Sequence, residues 1–142
     1  MVELDQYRYK ISDYDKPLQQ IKNSLDLDNK QKRIEELEAD MEAPGFWDDP
    51  SKSQEIVRKC RQLETKCERY EKMCATWDDL MTICEMALEE GDDSMLGELR
   101  DGYATLEEHM EQARLETLLT GEYDANNALV SFQAGAGGTE AQ

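Results

Sequence analysis

The sequence predicts an all-α protein, an antiparallel helical bundle built on a long coiled-coil-like hairpin, and three observations predict it. Apolar residues from Ile56 to Leu88 alternate in steps of four and three without a miss, which is the spacing of a heptad seam. Charged residues make up 35% of the 142 positions while glycine, proline and aromatics are sparse, the balance of long solvent-washed helices rather than of sheet proteins. Pro44-Gly45 and Gly91 fall at the ends of periodic runs, where such residues stop helices.

At the amino terminus Leu4, Tyr7, Ile11, Tyr14, Leu18, Ile21 and Leu25 form one helical stripe. Pro17 interrupts it, because proline lacks the amide donor and its ring strikes the carbonyl one turn back. A kink between Asp13 and Lys16, or two short helices, is expected. Asp28 followed by Gln31 has the form of a capping box, and Ile34, Leu37 and Met41 give a short amphipathic helix ending near Ala43. In the turn from Ala43 to Pro50, Phe46 and Trp47 carry large apolar area and are expected to plug the end of the bundle. Asp49 as N-cap and Pro50 at the first helical position open the next helix.

That helix carries the seam Ile56, Cys60, Leu63, Cys67, Tyr70, Cys74, Trp77, Met81, Cys84 and Leu88, and Gly91 is placed as the left-handed residue that stops it. Asp92 or Asp93 is expected to cap a following helix with the stripe Leu96, Leu99, Tyr103, Leu106, Met110 and Ala113, and with Thr117 at its end. Gly97 and Gly102 weaken that helix by about 1 kcal/mol each relative to alanine. Two such helices, about 51–90 and 93–119, joined by so few residues must fold back antiparallel, with the shorter amino-terminal helices packed on them. Residues 1–120 read as one helical domain. Beyond Gly121 the period changes to that of a strand over about 128–134, followed by a glycine-rich turn; 121–142 read as the start of a truncated second α/β domain, or as a short disordered tail.

The formal net charge is −17, so the averaged field repels phosphate and anionic lipid. Direct nucleic-acid binding is not expected, and a basic protein surface is the better-matched partner. No stretch has the roughly 20 apolar residues needed to span a bilayer, and a cytoplasmic location with no membrane partner is expected. Cys60, Cys67 and Cys74 are a heptad apart, roughly 10 Å along one helix and beyond disulfide reach. They and Cys84 read as core thiols, not metal ligands, since zinc sites space their ligands more closely and His109 lies well downstream. Glycines after a strand invite a phosphate-binding reading, but Gly137-Gly138 lead into Thr139-Glu140 where a nucleotide loop needs lysine. No cofactor and no catalytic residue is assigned. The outward face of the hairpin tip, Glu89, Glu90, Gly91, Asp92 and Asp93, is the candidate contact surface.

The phrases Leu25-Asp-Leu-Asp-Asn, Arg33-Ile-Glu-Glu-Leu-Glu, Pro44-Gly-Phe-Trp-Asp-Asp-Pro50, Thr120-Gly-Glu-Tyr-Asp-Ala-Asn-Asn127 and Gly135-Ala-Gly-Gly-Thr-Glu-Ala-Gln142 together resemble the bacterial peptide chain release factor 2 family. The last two are the specific ones, because the sister release factor 1 family has an acidic residue where Thr139 stands and lacks the Gly-Glu-Tyr-Asp phrase. The resemblance implies a factor that enters the ribosome at UAA or UGA and triggers peptidyl-tRNA hydrolysis. In that family a Ser-Pro-Phe tripeptide reads the codon and a Gly-Gly-Gln loop reaches the catalytic centre. Neither motif is in this chain, and Gly135, Gly137, Gly138, Thr139 and Glu140 correspond instead to the turn after the first strand of the central domain, with no assigned chemistry. Residues up to Thr120 would be the helical first domain, which in the family lies at the stalk base of the large subunit, near where translational GTPases dock. A monomer is expected. The competing readings are a stand-alone acidic coiled-coil scaffold or adaptor, and an anion-binding enzyme fragment.

Overall fold

The computed structural model describes residues 2–119. The expected strand at 128–134 and the glycine-rich turn lie outside the described residues. The order is α1 (Val2–Ser12), α2 (Asp15–Leu25), α3 (Leu27–Met41), a single 3₁₀ turn (Phe46–Asp48), α4 (Pro50–Glu90) and α5 (Leu96–Leu119). The all-α bundle on a long hairpin is therefore what forms.

The amino-terminal stripe is buried at Leu4, Ile11, Leu18, Ile21 and Leu25, and the break at Asp13 and Tyr14 gives two short helices. Pro17 falls in the first turn of α2, where its missing N–H breaks no helix bond; at the break itself Tyr14 N–H donates to the Ile11 carbonyl at 3.0 Å, and the Trp77 indole N–H of α4 donates to the same carbonyl at 2.5 Å. The expected capping box at Asp28 does not form. Asp26 instead turns through the left-handed region, φ 54°, as the last residue of one helix and the first of the next. That left-handed residue lets Leu25 and Leu27 both be buried, so α3 begins at Leu27 and Asp28 lies within its first turn.

α3 ends at Met41. Gly45 then takes φ 81°, and the Phe46 and Trp47 rings meet edge to face, centroids 4.7 Å apart. The expectation that both plug the bundle is corrected for Trp47, which is 62% exposed, while Phe46 is half-buried. Asp49 caps α4 through its carboxylate, which accepts from Lys52 N–H at 3.3 Å, with Pro50 at the first position.

At 1.5 Å per residue α4 is about 60 Å long and α5 about 36 Å, so α5 covers only part of its partner. Gly102 packs on Leu80, and the Arg69–Glu116 ion pair at 3.1 Å lies near the far end of the overlap. α1 runs antiparallel to α4, as the Cys84 Sγ contact to the Leu4 carbonyl and the Trp77 contact to Ile11 require. α3 continues along the amino-terminal half of α4, where Glu38 lies beside Cys60 and Glu64. α4 is thus a spine buried on more than one side. Its buried set adds Met73, Leu80 and Ala87 to the expected Cys60, Cys67 and Cys84. Tyr7 and Tyr14 close the top by packing on the Tyr103 ring, with centroids 5.9 and 5.6 Å away.

Candidate functional site

The tip of the hairpin is built by one glycine and one aspartate. Gly91 at φ 65° ends α4 and lets Asp92 N–H reach back to the Ala87 carbonyl at 3.0 Å. The Asp92 carboxylate then accepts from Ser94 N–H at 2.9 Å and from Ser94 Oγ at 3.1 Å. These bonds favour the charged form and hold its carboxyl below the usual range. The expectation that Asp92 or Asp93 caps α5 is thereby corrected. Asp92 is spent on the turn, and α5 starts at Leu96 with its amide bonded to the Asp93 carbonyl at 3.1 Å.

Glu89, Glu90, Gly91, Asp92 and Asp93 are all exposed, so the structure brings the predicted tip residues together at one end of the spine. Two apolar side chains lie level with this end: Met86, 55% exposed, and Val2, 72% exposed. The combination is an acidic rim with a small apolar content, suited to contact rather than to bond making. His109 is exposed on α5. Gly135, Gly137, Gly138, Thr139 and Glu140 lie outside the described residues.

The cysteines are free thiols, with Cys60, Cys67 and Cys84 buried and Cys74 half-buried. Burial pushes the thiols of Cys60, Cys67 and Cys84 up, and Glu64 and Glu38 push Cys60 further. Glu38, Cys60 and Glu64 place three ligand-type atoms within 4.8 Å of one another, but a thiol surrounded by two carboxylates in this way resists becoming the thiolate a metal needs.

Sequence reasoning missed a second surface. An open groove of about 660 Å³ lies where α3, α4 and the end of α5 meet, and among the described residues Arg33, Arg58, Lys59, Arg61, Lys66 and Arg69 line it with one acid, Glu116. The averaged charge hid this. Residues 51–72 carry seven basic and four acidic side chains, whereas 73–119 carry two basic and thirteen acidic, and counting by segment would have found the difference.

Residues 30–142 match the PCRF domain family. The peptide chain release factor 2 of Staphylococcus epidermidis is 38% identical over 141 residues, covering 99% of this chain. Those of Staphylococcus saprophyticus and Staphylococcus aureus are 36% identical over the same length. The chain spans 38% of the length of these relatives.

Proposed function

The chain belongs to the PCRF domain family, and from that premise we propose that it is the ribosome-positioning part of a release factor 2 that acts in translation termination at UAA and UGA. The observation that carries this reading is the end-to-end match to proteins named peptide chain release factor 2 at 38% identity. In this reading residues 1–120 are the helical first domain and 121–142 begin the central one. Codon reading and peptidyl-tRNA hydrolysis belong to Ser-Pro-Phe and Gly-Gly-Gln elements beyond these residues, and the chain itself carries no catalytic group. The tip from Glu89 to Asp93 contacts a basic protein of the large-subunit stalk base, close to a translational GTPase, and the domain acts as a monomer without a cofactor.

The burial of Cys60, Cys67 and Cys84 within the one chain supports this over the scaffold reading, because a coiled-coil adaptor needs its seam for a second chain. The test is co-sedimentation of the 142-residue chain with ribosomes, run beside a peptide-release assay. Binding without release is expected, and Glu89→Lys with Glu90→Lys should weaken it by about tenfold, the effect of losing roughly 1.4 kcal/mol of contact. Release above background would overturn the non-catalytic assignment. Failure to co-sediment would overturn the positioning role.

A further inference from the structure

The chain is acidic as a whole, yet one of its surfaces is not. Among the described residues, the groove between α3, α4 and the end of α5 is lined by six cationic side chains and one carboxylate. Leu37 is buried beneath the groove and Leu63 is half-buried in its wall.

The acidic tip does not cancel this local charge. Twenty residues of α4 separate Arg69 from Glu89, about 30 Å at 1.5 Å per residue, and the Debye length at physiological salt is about 8 Å. Lys59 and Arg61 make no side-chain ion pair or hydrogen bond among the described residues. Arg58 and Arg69 are paired with Glu55 and Glu116, but both arginines are more than half exposed. Exposed pairs of this kind contribute about 0–1 kcal/mol, so a stronger anion can displace the carboxylate.

The arrangement is also directional. Arg58, Arg61, Thr65 and Arg69 are spaced by three, four and four, which sets them in one row along α4 about 16 Å long. Arg33 stands across the groove on α3, and Gln62 and Thr65 add neutral polar groups. Guanidinium forks match phosphate bidentately. A straight row of cations fits a polymer with a negative charge on every unit, whereas an acidic peptide has its charges interrupted.

We propose that this groove seats the phosphodiester backbone of RNA. The proposal rests on the ribosome reading above and adds to it a second contact, opposite in sign to the acidic tip and at a different part of the spine. The backbone would be held without base readout, through charge and through neutral donors along the row.

The test measures fluorescence anisotropy of a labelled RNA duplex of about 18 base pairs, in about 50 mM salt, against the whole chain. Binding with a dissociation constant in the range of about 1–100 μM is expected, weakening with salt at a log–log slope near −0.9 per phosphate engaged, for about two to four phosphates. Lys59→Glu with Arg61→Glu should weaken it by at least about tenfold while leaving the circular-dichroism melt unchanged, since both side chains are exposed and make no ion pair or hydrogen bond among the described residues. Glu89→Lys with Glu90→Lys should leave RNA affinity within about twofold, because screening isolates the tip. Absence of RNA binding, full binding by the Lys59→Glu, Arg61→Glu chain, or displacement of RNA by an equal charge of polyglutamate would each overturn the proposal, the last pointing to an acidic protein. Co-sedimentation with ribosomes in the absence of RNA binding would remove the groove proposal and leave the termination reading standing. RNA binding without co-sedimentation would do the reverse.

Discussion

Gly97 and Gly102 lie five residues apart on α5 and share a helix-propensity cost, yet their surroundings differ. Nothing lies within 4 Å of a Cβ built at Gly97, whereas one at Gly102 would come within 2.5 Å of Leu80 Cδ2. Leu80 is 4% exposed and part of the core, so its methyl has little room to retreat. Gly97→Ala should therefore stabilise the protein by about 0.5–1 kcal/mol, the propensity difference alone. Gly102→Ala should gain the same and lose about 1–3 kcal/mol to overpacking, ending neutral to destabilised by about 2 kcal/mol. Urea midpoints of the two variants settle the matter, and equal stabilisation by both would show that Leu80 moves aside freely. From sequence the two glycines are equivalent, because the close approach depends on which turn of α4 faces Gly102.

Seen as an element, α4 shows where periodicity reads well and where it stops. The seam through Cys60, Cys67 and Cys84 is visible in the sequence because each residue keeps a four-three step, and each is buried. Met73, Leu80 and Ala87 belong to a second row that shares Trp77 and Cys84 with the first, and a single-seam reading passes over it. The row exists because the carboxy-terminal half of α4 meets α1 on one side and α5 on another, widening the apolar sector beyond one edge. Cap residues were legible where the chain offered one choice, as at Asp49, Pro50 and Gly91, and misread where it offered two, as at Asp26 and Asp28. The α1–α2 break gives the element-scale prediction. Its Ile11 carbonyl accepts from the Trp77 indole, so Trp77→Phe keeps the aromatic bulk and removes the donor. A loss of about 1–2 kcal/mol is expected, and amide exchange should quicken first in α1. A variant as stable as the parent, with α1 equally protected, would mean the Tyr14 amide alone satisfies the break.

Taken as a whole, the molecule has a spine, α4, that separates its charge along its length, and net charge conceals this as surely as composition reveals the helices. A chain-wide average hides the difference between the tip and the groove, since charges about 30 Å apart on a helix do not share a field in salt. The neutral acids of the interior act on the whole molecule together. Burial raises the thiols of Cys60, Cys67 and Cys84 and the phenols of Tyr14 and Tyr70, the latter also through its hydrogen bond with Cys74. Each of these groups is neutral when protonated, so a raised value means that the folded chain keeps a proton the unfolded chain releases. Their contribution to stability is complete below the unfolded values, about 8.5 for thiols and about 10 for phenols, and is lost as pH climbs through and above them. The urea midpoint should therefore hold level from about pH 7 to 8 and fall from about pH 8.5 upward. Thiolate absorbance from Cys60, Cys67 and Cys84 should appear with unfolding, not ahead of it. A midpoint that rises across that window, or titration of Cys60, Cys67 and Cys84 near about 8.5 in the folded chain, would mean these three cysteines are open to water and the spine is not packed as described.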